Sequence, residues 1–265
     1  MTFEPTQVGN PQSLTVNQHV FPKASIQRFT DSDGIVEVFV KKQKRILRLK
    51  ANNPFFCAKR VWDQKTEAGV GKRIEDRFQG LACAIENGKV TTIGVFEKRI
   101  VEEFFSLWRT RQKFKIQGLE DVYLNGIACD SLTKDQQEIL ERKHVIYAVD
   151  GVMRGRLLAS VHIFGYQDRF IEDNKSMAWG IVRSHFKEFV VPDCFDDMMI
   201  VPISPKIAIV ADMPDSTLTY DQVAIINQIA IARTTEYFFA RRLSSSPLVR
   251  EITPPFQRLF PDRPN

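Results

Sequence analysis

Four polar residues of this chain have the types and settings that chemistry requires: His19, Glu75, Asp193 and Asn227. His19 follows the amides Asn17 and Gln18 and precedes the apolar Val20-Phe21. An imidazole titrates near neutrality, so it can serve as a general base or proton shuttle. The same side chain can also satisfy a buried backbone group at a domain edge. Asp193 ends the apolar stretch Phe189-Val190-Val191, and Asp196 and Asp197 follow in the same loop. Grouped carboxylates can hold Mg²⁺ through oxygen ligands, and a lone aspartate at such a place can cap its own turn. Glu75 stands near a helix start between Arg73 and Arg77, free either to pair with one of them or to line a site. Asn227 interrupts an apolar helix, and a buried amide must find partners, for which the Asp193 loop is a candidate.

Two partial motifs accompany these residues. Pro192-Asp193 followed by Ile203-Ser204-Pro205-Lys206 is half of a nuclease pattern, with Lys206 in place and Ser204 where the second acid belongs. Arg156 and His162 have the spacing of a helical ribonuclease pair, although Val161 and Ile163 flank the histidine as they would flank a core residue.

Basic side chains form the other signal. Lys41, Lys42, Lys44, Arg45, Arg48 and Lys50 run without an acid between them. On a hairpin, alternate members face one way and make a cationic strip that suits phosphates. Charges on an exposed edge strand also guard it against sheet-to-sheet aggregation. No aromatic residue interleaves the run, as one would in a base-stacking surface. Arg109, Arg111, Lys113 and Lys115 continue the basic character further along.

Several classes are disfavoured. Gly69-Val70-Gly71-Lys72 lacks the spacing of a phosphate-binding loop, and no Gly-x-Ser-x-Gly elbow occurs. The four cysteines, Cys57, Cys83, Cys129 and Cys194, are scattered singly, against both a zinc knuckle and a disulfide framework. The N-terminal residues lack the basic and apolar regions of a signal peptide, and no apolar run approaches the ~20 residues of a membrane helix. A cytoplasmic protein with no membrane partner is expected. With 37 lysines and arginines against 32 aspartates and glutamates, the net charge of +5 permits nucleic-acid binding without requiring it.

The elements that must position these residues follow from periodicity. Ile35–Val40 and Arg45–Leu49 read as strands of a hairpin joined at Lys41–Lys44 and entered through the Asp31–Gly34 turn. Ile74, Phe78, Leu81 and Ile85 lie on one stripe of a helix over residues 72–86. Helices are also predicted over 97–114, 135–148 and 157–164. Short apolar strands punctuated by proline follow at 189–191, 199–203 and 207–211. A long helix from Thr219 to Arg241, capped from the Asp215–Thr219 segment, closes the pattern. The expectation is an α+β fold with an N-terminal β-hairpin, a helical middle and a small C-terminal sheet closed by that helix. Residues 1–16 are expected as a flexible leader, 17–243 as a single domain and 244–265 as a loosely ordered tail.

The order of these motifs resembles a bacterial family known as domain of unknown function 4238. The likeness is carried by Asn17-Gln18-His19-Val20-Phe21-Pro22, Ile35 to Lys41, Ile74-Glu75 with Phe78, Arg109-Thr110-Arg111, Trp179, Phe189 to Asp193, Val201 to Lys206 and Ile226-Asn227. It covers roughly residues 17 to 240. Pro192 and Cys194 replace a serine and an asparagine of the family pattern, and the tyrosine after His19 is missing. The resemblance implies a nucleic-acid-directed effector, of a kind found near phage-defence elements.

Two functions are therefore expected as alternatives. One is a nuclease-like hydrolase acting on RNA, DNA or another phosphate ester, with His19, Asp193, Glu75 and Asn227 converging in one cleft and Mg²⁺ as a conceivable cofactor. The other is a non-catalytic interaction protein whose polar residues hold the fold.

Overall fold

The computed structural model describes residues 3–126, 131–194 and 198–247. The fold is α+β, and the chain forms two compact units, each assembled from separated stretches. Unit 1 takes the chain up to Lys23, Asn52–Leu81 and Arg99–Lys175. Unit 2 takes Ala24–Ala51, Ala82–Lys98 and the chain from Ser176 on. Three of the five divisions fall inside helices, α1 (Lys23–Gln27), α2 (Lys72–Glu86) and α3 (Val95–Gln117).

Unit 1 is built on the apolar faces of α2 and α3. The stripe read from the sequence is buried at Ile74, Phe78 and Leu81. Phe78 stacks on Phe104 of α3, and Phe21 lies 4.6 Å from Trp108. Strand β1 (Asn17–His19) pairs antiparallel with β4 (Cys57–Lys59), setting His19 opposite Cys57. A second two-stranded ribbon joins β5 (Val122–Tyr123) to β6 (Val152–Met153). Helix α4 (Lys134–Arg142) starts on a capping box between Thr133 and Gln136. Helix α5 (Ala159–Asp173) follows a 3₁₀ turn at Gly155–Leu158 and packs Phe170 against Phe105. The segment expected as a flexible leader is held from Glu4 onward. Gln7 donates its backbone N–H to Glu138, and Glu4 pairs with Arg156.

Unit 2 carries two four-stranded sheets. One is ordered β11 (Ser216–Leu218), β7 (Trp179–Ser184), β10 (Ile207–Ala211), β9 (Ile200–Ser204), with β11 parallel to β7. Gly180 on β7 allows the Met213–Pro214 backbone to approach, since a Cβ there would stand 2.0 Å from the Met213 carbonyl oxygen. The other sheet is antiparallel: β3 (Arg45–Lys50), β2 (Ile35–Val40), β12 (Tyr237–Ala240), β8 (Val191–Pro192). Pro192 and Pro202 sit on the edge strands β8 and β9, where a missing N–H costs least.

The last helix is shorter than its periodicity predicts. Helix α6 (Tyr220–Arg233) opens on a Thr219–Gln222 capping box and stops before Thr234. The chain then turns and returns as β12, the strand between β2 and β8. Two successive β-branched residues, Thr234 and Thr235, followed by Tyr237-Phe238-Phe239, favour extended backbone over helix. The sheet rewards that choice by burying Tyr237 and Phe239.

Candidate nucleic-acid interface

The four residues singled out for catalysis divide between the units: His19 and Glu75 belong to unit 1, Asp193 and Asn227 to unit 2. Three of them have definite structural work. Asp193, 1% exposed, accepts backbone N–H groups from Thr235 at 2.9 Å and Glu236 at 2.6 Å, and so caps the turn from α6 into β12. Burial pushes its carboxyl above the ordinary range, while those N–H groups and that of Tyr237 pull it back down. Asn227 accepts the Val190 N–H at 2.8 Å and donates to the carbonyls of Glu188 at 2.9 Å and Pro247 at 3.2 Å. It ties α6 to the segment that leads into Asp193, as expected of a buried amide.

Glu75 pairs with neither Arg73 nor Arg77. Its carboxylate holds Arg111, while Arg77 pairs with Glu103 at 2.7 Å. The Arg111 guanidinium also lies 3.6 Å from Glu67 and 5.2 Å from the centre of the Trp62 ring. Arg111 is 1% exposed, so it is removed from the basic surface to which the sequence assigned it. A fully desolvated cation needs such partners to remain in the core. His19 is half-buried on β1.

The half-motifs also separate. Pro192 lies on β8 and Ser204 on β9, strands of different sheets, so the two-strand nuclease arrangement is not formed. Lys206 donates to the His185 carbonyl at 2.8 Å. His162 is exposed on α5 rather than in the core, whereas Arg156 is buried on the preceding turn. Asp196 and Asp197 lie outside the described residues. Among the described residues no group of three or more His, Cys, Asp or Glu could hold a metal ion.

The hairpin does form the strip. Strand β3 is an edge strand, and Lys42, Lys44, Arg45, Arg48 and Lys50 are exposed. Arg48 reaches Asp31 at 3.3 Å, with its side chain still 58% exposed. Lys41 turns away and donates to the Thr234 carbonyl at 2.5 Å. Directly paired residues share a face, so Arg48 and Lys50 stand on the side of Ile46, Phe39 and Phe238. Phe39 stacks on Phe238 at 5.1 Å, and Ile46 is 55% exposed. The sheet thus supplies from neighbouring strands the aromatic component that the basic run lacks in its own sequence. Arg109 is exposed on α3, in unit 1.

Sequence reasoning missed a charged cluster inside unit 1. Glu141 accepts both Arg60 and Arg156 at 2.6 Å. Glu4 takes Arg156 at 2.8 Å and also pairs with Lys134. Burial alone would raise the Glu4 carboxyl, but Arg156, Lys134 and Arg60 together bring it down to about 2. The turn that delivers Arg156 depends on Gly155, where a Cβ would stand 2.3 Å from the Glu120 carbonyl oxygen. These residues are spread over roughly 150 positions, so only tertiary packing brings them together.

No helix among the described residues is long and apolar enough to cross a membrane. No protein-family model, curated protein or solved structure matches the chain, so the family resemblance rests on its short motifs alone.

Proposed function

We propose that this chain is a cytoplasmic binding module for single-stranded nucleic acid, with the β2–β3 hairpin as its docking surface. The supporting observation is the edge strand β3. Of its cations, Arg48 and Lys50 stand exposed on the face of Ile46 and the Phe39–Phe238 stack, with Glu37 opposite Arg48; Arg45 faces the other way beside Val40, and among the described residues Lys42, Lys44, Arg45 and Lys50 reach no carboxylate. Phosphates would lie along the cations, and bases would pack on the apolar row, a sequence-tolerant mode. A hydrolytic role finds less support, because Asp193, Asn227 and Glu75 are already engaged by backbone groups or by Arg111. Cys57 and Cys194 are buried, and no disulfide is formed among the described residues, which suits a reducing compartment.

The test is fluorescence anisotropy with short single-stranded RNA and DNA across a salt series. Four to five phosphate contacts on a single strand predict a slope of log K on log salt near −3, about a hundredfold loss between 50 and 200 mM. Replacing Lys42, Lys44, Arg45 and Arg48 together by alanine should abolish that slope. Binding unchanged in this variant would refute the proposal. Cleavage of the oligonucleotides by the native chain, lost in His19→Ala, would establish the hydrolase reading instead.

A further inference from the structure

Unit 2 presents a second aromatic and cationic surface, at the end of its other sheet. We infer that a single-stranded nucleic acid held on the hairpin continues across this surface, so that the whole site is longer than the β2–β3 face. The inference rests on the function proposed above and extends the path of the same ligand.

Sheet register brings the surface together. Leu218 of β11 lies beside Ser184 of β7, Ile207 of β10 beside Arg183, and Ser204 of β9 beside Ile207. The segment after β7, the Pro205–Lys206 turn and the start of α6 therefore leave the same end of the sheet. Phe186 is 84% exposed there and Tyr220 51%. The Lys187 ammonium sits 5.6 Å from the centre of the Tyr220 ring, and the exposed Lys206 donates to the His185 carbonyl at 2.8 Å, one residue from Phe186.

The backbone joins this surface to the hairpin. Glu37 stands opposite both Arg48 and Ala240, and its carboxylate accepts the Leu243 N–H at 2.9 Å. The 3₁₀ turn at Leu243–Ser245 thus begins at the Arg48 row. Its far end accepts the Glu188 N–H through the Ser245 carbonyl at 3.2 Å, next to Lys187. Arg242, exposed, stands at the start of that turn, and Arg241 holds Glu188. A strand leaving the Phe39–Phe238 stack would meet Arg48, Arg242 and Lys187 before it reached Tyr220 and Phe186.

Charge selects the ligand class. Residues 184–188, 204–207, 219–221 and 241–245 carry Lys187, Lys206, Arg241 and Arg242 against Glu188 and Asp221, while Glu37 is shared with Arg48. Lysine is depleted at protein–protein interfaces, whereas a phosphate backbone calls for it. Exposed aromatics set among such cations suit single strands, whose bases stack while their phosphates follow the charges. An anionic membrane would meet the same two groups, and continuity with the hairpin favours the nucleic acid.

Anisotropy titrations of the full chain with oligothymidylates of about 5 and about 15 nucleotides test this, lengths that bracket known single-strand sites. Phe186→Ala with Tyr220→Ala, both exposed and so expected to leave Tm in place, should weaken the longer strand at least tenfold and the shorter less than twofold, with the salt slopes unchanged. Lys187→Ala, Lys206→Ala and Arg242→Ala together should flatten the longer strand's slope by about 2, the value for three lost phosphate contacts. The four-residue hairpin variant should lose the shorter strand and keep a slope of about −2 on the longer one. Unchanged affinity of the aromatic variant for the longer strand overturns the inference and leaves the hairpin reading standing. Loss of the shorter strand in the aromatic variant, with full binding by the hairpin variant, overturns both. Binding to phosphatidylserine vesicles that the aromatic variant loses, with its affinity for the longer strand intact, overturns the inference in favour of a membrane.

Discussion

At the scale of single residues, the polar groups of this chain are mostly explained by what they hold together. Asn227 was conspicuous in the sequence because an amide on an apolar helix has few alternatives to a structural role. The structure gives it one acceptor and two donor contacts. Asn227→Ala leaves the Val190 N–H and two carbonyls without their partner. It should cost about 1–3 kcal/mol, read as a lowered midpoint in urea unfolding. Glu4 was not conspicuous at all, because its partners lie far along the chain. Its carboxyl, ordinarily near 4.5, is held near 2, so it binds fewer protons folded than unfolded. Its contribution is therefore complete above pH 4.5 and disappears as pH falls towards 2. Glu4→Gln should be less stable than the native chain at pH 7 and equal to it at pH 2. A gap that persists at the acid end would remove the linkage.

At the scale of elements, local signals were legible and distant ones were not. The hairpin, the stripe of α2 and the capped start of α6 all lie within windows of a few turns, and each forms where its pattern predicts. Strand β12 was lost because its Tyr-Phe-Phe continues the apolar pattern of α6, and its partner β2 lies roughly 200 positions earlier, beyond any local window. The same distance hid the Phe39–Phe238 stack, and with it the apolar half of the proposed interface. Phe239 is fully buried in that strand. Phe239→Ala should cost about 3–5 kcal/mol, measured by thermal unfolding. The four-residue hairpin substitution, confined to exposed charges, should leave Tm within a few degrees while abolishing the salt-dependent binding. A large drop in its Tm would mean that the charges hold the sheet rather than a ligand.

At the scale of the whole molecule, three tryptophans report separately on the two units: Trp62 and Trp108 in unit 1, Trp179 in unit 2. Helix α2 serves both, burying Phe78 in the first and Ile85 in the second. Helix formation is cooperative along its length, so fluorescence from single-tryptophan variants should show coincident transitions in urea. Phe78→Ala should move the Trp179 transition as well as its own. Separated midpoints would show that the helix transmits nothing.

The interleaving of the units also sets an order of assembly during synthesis. Unit 1 has all its segments once Lys175 has left the ribosome, whereas the sheet of unit 2 lacks β12 until residue 240. At a synthesis rate of about 5–20 residues per second, β2 waits about 10–40 s for the strand that will cover its inner edge. Through that interval a nascent hairpin rich in valine presents open backbone to every neighbouring chain. The cations of β3 repel such encounters from the outset, so the strip proposed to meet a nucleic acid in the finished protein also protects its own sheet while that sheet is incomplete.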